Sequence, residues 1–311
     1  MGEVDGRRTG VCVNPQAGPT RGACEAAAVF PALAREAFHR YEPLHAVVYF
    51  HPAVLEAFAG AGVTGFWRSY FAARCAPLGR VGAGPVAAMF HGFALPMVER
   101  AVPDVWTRIA PEHALHTRRT VCADVLRAMF ADVDEPLVRE ASSLLRDAVA
   151  GAAIEGRPLG AANAVLPMPD EPIAALWRAA TTLRELRGDG HVLALTNAEL
   201  DGVEAHVLRD AIHGTRHFTQ SFRGWSDDEW DAAVDRLRLR GLVDADGRAT
   251  DAGRACREAV ESDTDRLAAG PWRALGEDRT RRLLDLLAPL AAAAFTMLPS
   301  ENPVGELHPP S

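Results

Sequence analysis

Lysine is absent from this sequence; all 33 basic residues are arginine. Beside so much alanine, that bias points to a high-GC coding sequence and carries no chemistry. No stretch approaches the roughly 20 apolar residues needed to cross a bilayer. The first residues also lack the basic-then-apolar pattern of a secretory leader. A cytoplasmic chain without membrane contact is the expectation. The five cysteines, Cys12, Cys24, Cys75, Cys122 and Cys256, are scattered and form no C-x-x-C. They fit reduced thiols rather than a disulfide framework or a structural zinc site. Phosphate-binding G-x-x-x-x-G-K-[ST], dinucleotide-binding G-x-G-x-x-G and G-x-S-x-G are all missing, so nucleotide and α/β-hydrolase chemistry are unsupported and the cofactor is left open. H-E-x-x-H and H-x-H are missing too. A metal site would need His45, His191 and His206 to meet through the fold, and no metal is expected.

What is present bounds the architecture. At 311 residues the chain is longer than a typical single core, which suggests two domains. Residues 1–24 and 299–311 are aperiodic, the first rich in glycine and arginine and the second in proline, and both are expected to be flexible tails. Between them apolar residues recur at spacings of three and four, so the fold class is mostly α. Residues 25–157 form an expected helical domain, its first helix ending near Glu42-Pro43 and its last two helices an antiparallel pair. Residues 158–170, punctuated by prolines, are expected to be an extended linker to a second domain over 171–270, with a C-terminal helix over 271–298.

The second domain carries the clearest pattern. A helix over 171–187 has its apolar stripe at Ile173, Leu176, Trp177, Ala180, Leu183 and Leu186, and Gly188-Asp189-Gly190 then suggests a turn. Another helix closes on Gly214. Ser226 and Glu229 have the spacing of a capping box, opening a helix that would bury Trp230, Ala233, Val234 and Leu237. Residues 242–250 suggest a hairpin turning on Asp246-Gly247, and Thr250 caps a further helix. Residues 227–268, DDEWDAAVDRLRLRGLVDADGRATDAGRACREAVESDTDRLA, resemble the second half of a MarR-type winged helix-turn-helix: a charged recognition helix, RGLV, a D-G wing and a long helix. The whole chain resembles an actinobacterial family of MarR-like helix-turn-helix proteins of unknown function. That resemblance implies a small β-wing. An echo between 45–66 and 191–206 would make the N-terminal half a degenerate winged helix with His45 and His191 equivalent; chance similarity is the preferred explanation.

Charge argues against the obvious function. A duplex reader puts the first turns of its recognition helix beside phosphates, and here those turns carry Asp227, Asp228, Asp231 and Asp235. The net charge of −8 points the same way. Arg236, Arg238 and Arg240 fall at the helix C-terminus, where they suit the helix dipole. The favoured expectation is therefore a small-molecule-binding protein or enzyme with a histidine-containing pocket between the domains, and DNA is not an expected partner. The alternative is a ligand-responsive regulator that reads DNA as a homodimer. His45 and His191 are the candidate acid/base groups, because histidine titrates near neutrality. Tyr49, Trp67, Tyr70 and Arg74 are expected on one wall of the pocket, and Glu204 and His206 on the other. Each of these side chains taken singly is an ordinary core or rim residue.

Overall fold

The structure is a computed structural model that describes the backbone of residues 21–299 and the side chains from Val29 onward. Residues 1–20 and 300–311, with Cys12 and the Cys24 side chain, lie outside these residues, whereas residues 21–24 of the expected tail belong to the first helix. The body begins with α1 (Arg21–Phe50), α2 (Pro52–Gly60), α3 (Phe66–Cys75), α4 (Ala83–Met89), α5 (Leu95–Glu99) and α6 (Val105–Arg108). It continues with α7 (Pro111–Met129), α8 (Glu135–Ala150) and α9 (Pro158–Ala164). A long helix, α10 (Pro172–Asn197), leads to α11 (Gly202–His213), α12 (Arg216–Arg223), α13 (Asp227–Leu239) and α14 (Asp251–Leu267). Finally α15 (Gly270–Leu275) and α16 (Glu277–Phe295) return to the body, where α16 packs on α1 and α8.

Three expectations are corrected. The first helix does not stop at Pro43. It runs through Pro31 and Pro43 for 30 residues, and burial of Tyr41, Leu44, Val47 and Tyr49 outweighs the lost amide bonds. Nor is Gly188-Asp189-Gly190 a turn, because α10 passes straight through it. The Asp189 carboxylate accepts from the Gly160 amide at 2.8 Å, and a Cβ on Gly160 would lie 2.6 Å from the Leu186 side chain. Glycine is required at Gly160 for the close approach of the two helices. The third correction follows from the same contact: residues 158–164 of the expected extended linker form α9, packed on α10.

The β-wing is also absent. Among the described residues there is no strand, and the wing is a single bridge between Val243 and Ala249. The Asp244 carboxylate accepts from the amides of Asp246 and Arg248, both at 2.9 Å, which curls the chain into a tight turn. The Ala249 amide donates to the Ala211 carbonyl on α11, so the segment docks on a helix instead of extending a ladder.

Two apolar clusters meet along α10. One fills the body and takes Leu176, Trp177, Ala180 and Leu183 from the first half of α10. The other takes Ala194 and Leu195 from its end, with Val203, Leu208, Trp230, Leu237 and Val260 of α11, α13 and α14. Trp225, between α12 and α13, packs against both.

Candidate functional site

The helix-turn-helix unit is α12, a turn at Gly224 and α13. Gly224 is left-handed (φ 79°), and its Cβ position lies 2.6 Å from Met97 of α5, so glycine is needed for both reasons. Ser226 and Glu229 form the expected capping box. The exposed face of α13 is acidic, with Asp227, Asp231 and Asp235 side chains 84%, 67% and 72% exposed. The arginines near it are turned onto the protein. Arg216 donates to Asp227 at 3.0 Å and to Asp231 at 3.2 Å. Arg238 holds Asp235 and the carbonyls of Asp244 and Ala245. Arg236 holds Asp201 and Glu204, and Arg240 the carbonyls of Ala198 and Glu199.

Inside the body, α1, α3 and α10 bring four of the candidate residues together. His45 meets the Thr181 hydroxyl at 3.0 Å through Nδ1 and the Tyr49 hydroxyl at 2.6 Å through Nε2. The Tyr49 and Tyr70 rings lie 5.2 Å apart, and Arg74 donates to the Tyr70 hydroxyl at 2.6 Å. The Arg74 guanidinium also forks onto Glu185, at 2.9 and 2.5 Å. Burial alone would raise the Glu185 pKa, but Arg74 and Arg184 outweigh it and hold the carboxyl at about 2. Glu42 fares differently. Its long ion pair with Arg184, 3.4 Å, does not offset complete burial, which pushes its pKa up to about 7. Burial drives His45 well below its ordinary value, so the ring is neutral at pH 7.

A cavity of about 490 Å³ lies at the seam between the body and the helix-turn-helix unit. Its walls include Phe66, Trp67 and Arg68 of α3, Met97 of α5, Arg100 and Ser221 of α12. Phe66 stacks on Tyr70 with ring centres 6.4 Å apart, and Trp67 meets Phe222 of α12 edge-on at 5.9 Å. Arg223 of α12 donates to the Tyr70 hydroxyl and lies over the Phe93 ring, 4.4 Å from its centre. Below the cavity the seam is pinned by the 91–94 loop. The Gly92 carbonyl accepts from Trp225 and His206, both at 3.0 Å, and the Ala94 amide donates to the Arg223 carbonyl at 2.9 Å.

The remaining candidates stand elsewhere. His191 Nδ1 meets Thr264 of α14 at 2.9 Å, on the side of α10 that also carries the Arg187–Asp265 pair. Thr181, the partner of His45, is ten residues earlier on the same helix, a rise of about 15 Å. His206 is tied to Gly92 and Glu204 to Arg236, so neither faces Tyr49 or Arg74. Burial lowers His191 to about 4 and His206 to about 3, so both are neutral. Among the described residues no three His, Cys, Asp or Glu side chains are grouped to hold a metal ion. Residues the sequence did not single out complete the site: Glu42, Arg184 and Glu185 behind Tyr49, and Phe66, Arg68, Arg100 and Arg223 around the cavity. One signal was available, since Arg178, Thr181, Thr182, Glu185 and Asp189 repeat at helical spacing opposite the apolar stripe of α10. Such a face ordinarily looks solvated; here it is buried.

No curated protein and no solved structure matches the chain. No helix among the described residues is long and apolar enough to cross a membrane. A family model described as a helix-turn-helix family matches residues 34–298, nearly the whole described length and both apolar clusters, and the chain belongs to that helix-turn-helix family.

Proposed function

We propose that this chain is a small-molecule-binding protein built on a helix-turn-helix scaffold, with its ligand seated in the seam cavity walled by Phe66 and Trp67. The supporting observation is the cavity itself: aromatic and cationic side chains from α3 and α5 face α12, and Tyr70 joins them to a buried polar relay. Phe66 and Trp67 supply the wall, Tyr70 stacks on Phe66 with its hydroxyl fixed by Arg74, and His45 positions Tyr49. A ligand there would touch both the body and α12, as expected of a pocket between two packed units. On this proposal α13 does not read duplex, because its exposed carboxylates would lie against phosphates. A thermal-shift screen of small aromatic compounds tests it: stabilising compounds should lose their effect in Trp67→Ala. Equal stabilisation of that variant, or no stabilising compound at all, counts against the site.

A second proposal is a ligand-responsive regulator that binds DNA as a dimer. It draws support from membership of a helix-turn-helix family and from α13 presenting one exposed face, in the manner of the MarR-type arrangement that 227–268 resemble. Sequence-selective duplex binding at low salt would favour it over the first.

A further inference from the structure

We infer that α12 is a gate: it opens as a unit, apart from the helices on either side, and joins the seam cavity to a second cavity on the outer side of the helix-turn-helix unit. That outer cavity, of about 610 Å³, lies between Asp210 of α11, Gln220 of α12 and Trp225. Ser221 lines both cavities, so α12 is the partition between them. Such a motion needs no ligand. The gate can therefore fail while the binding role stands, and the reverse also holds.

The core hardly holds this helix. No residue of α12 belongs to either apolar cluster, whereas α11 gives Val203, Val207 and Leu208 and α13 gives Trp230, Ala233 and Leu237. Phe222 is 42% exposed and Phe218 only half-buried. What α12 buries instead is polar: Thr219, and Thr215 one turn before it at the N-cap. Thr215 forms no capping bond, and neither threonine hydroxyl has a hydrogen-bond partner. A buried, unpaired hydroxyl bears its desolvation cost in the closed position and regains water on opening. Both threonines therefore bias α12 toward release, while its neighbours are fixed by their apolar faces.

The chain is also broken at both ends of the helix. Gly214 (φ 69°, ψ 45°) closes α11 and Gly224 (φ 79°, ψ 18°) closes α12, both in the left-handed region. Turning at Gly214 leaves α11 intact, and a Cβ there would meet nothing within 4 Å, so the chain has room. The two ends are held differently. Near Gly224 the Ala94 amide bonds the Arg223 carbonyl and Phe222 meets Trp67, which seats that end on the body. Near Gly214 the Arg216 amide donates to Asp210 at 2.6 Å, and the Arg216 side chain pairs with exposed Asp227 and Asp231. Exposed pairs hold little. Swinging the Gly214 end outward about Gly224 carries Ser221 from between the two cavities.

Hydrogen exchange of the full chain, read peptide by peptide by mass spectrometry, tests the separate opening. Amides of α12 should exchange about tenfold or more faster than those of α11 and α13. Thr219→Val keeps the side chain's shape and removes an unpaired hydroxyl. It should slow α12 exchange by about fivefold or more and leave α11 and α13 within about twofold. Thr215→Val should act in the same direction. Access is read at Ala101, which is 2% exposed on the wall of the seam cavity. Ala101→Cys should be labelled by a bulky maleimide, and adding Thr219→Val should slow that labelling by the same factor as the exchange. Exchange of α12 in step with its neighbours, or no slowing by either valine, would overturn the separate opening. Slowed exchange with unchanged labelling would overturn the gate, since α12 would then move without admitting anything to the cavity.

Discussion

Three arginines in the interior of the body are buried, whereas those around α13 are displayed. In the body Arg74, Arg118 and Arg178 are each less than a tenth exposed, and only Arg74 has a carboxylate in contact. Around α13, Arg216, Arg236 and Arg238 lie at the surface, each already bonded to its own acid. A buried guanidinium costs several kcal/mol to desolvate and is held by fixed geometry, whereas an exposed pair contributes about 0–1 kcal/mol. The chain therefore concentrates its costly charges around Tyr49 and Tyr70 and leaves its nominal recognition surface electrostatically satisfied.

The largest effect should come from breaking the buried pair. Glu185→Leu removes the fork that neutralises Arg74 and leaves Arg184 with Glu42 alone. A loss of about 3–5 kcal/mol is expected in urea unfolding, since a partnerless buried charge bears the full desolvation penalty. Arg74→Met combined with Glu185→Leu should recover most of that loss. A single-variant loss below about 1 kcal/mol would mean that water already reaches this cluster and the contrast with the surface is false.

A smaller loss is expected where the two regions touch. Gly202 opens α11 against the 91–94 loop, and a Cβ there would overlap the His91 carbonyl oxygen. Backbone cannot yield as a flexible side chain can, so Gly202→Ala should cost about 1–3 kcal/mol by overpacking. If the seam carries the ligand, the variant should also lose the thermal stabilisation that small aromatic compounds give the wild type. Unchanged stability would show that the seam is looser than these contacts imply.

How much of this was written in the residues depends on scale. The helical class, the Ser226–Glu229 capping box and the helices α11, α13 and α14 follow from local rules, whereas α12 was not read from the sequence. Tyr41, His45 and Tyr49 were legible as one face of a helix, provided that Pro43 did not end it. That proviso was a tertiary matter, as was the straight passage of α10 through Gly188-Asp189-Gly190. The pocket was legible in part. Trp67, Tyr70 and Arg74 share a helix face, and that face does reach the body's polar centre. The pairing of His45 with His191 was not readable, since it depended on which side of α10 each neighbour takes. Arg100 and Arg223 carry no local signal at all.

Two carboxylates in the same interior should respond to pH in opposite directions. Glu185 is held at about 2, below its ordinary 4.5, so its contribution is complete above pH 4.5 and is lost as pH falls toward 2. Glu42 is raised to about 7, so its contribution is complete below pH 4.5 and is lost as pH rises through 7. Glu42→Gln should therefore lack a loss of roughly 1–3 kcal/mol that the wild type shows between pH 5 and 8. Histidines 45, 191 and 206, all depressed, shift stability the other way, favouring higher pH, and do so equally in both proteins. Urea midpoints for wild type and variant at four pH values isolate the difference. Parallel curves would mean that Glu42 is ionised throughout and Arg184 compensates it fully.

The smallest effect on stability, and the sharpest on the comparison, concerns the exposed face of α13. Replacing Asp227, Asp231 and Asp235 together by asparagine should barely alter unfolding, because exposed pairs are screened and contribute little. It should change the surface field. The substitution removes three negative charges and also releases Arg216 and Arg238, which now bond to those carboxylates. If acidity alone separates this helix from a phosphate-binding one, the triple variant should acquire weak, sequence-independent duplex affinity, with a Kd of roughly 10–100 µM that worsens steeply with salt. The wild type should bind no labelled duplex under the same conditions, followed by fluorescence anisotropy at about 50 mM salt, where weak electrostatic binding is still strong. Nanomolar, sequence-selective binding by the wild type would reverse the assignment and return function to α13. Silence from the variant would be as informative, since shape rather than charge would then keep the helix from the groove, leaving the body as the only region with charge to offer a ligand.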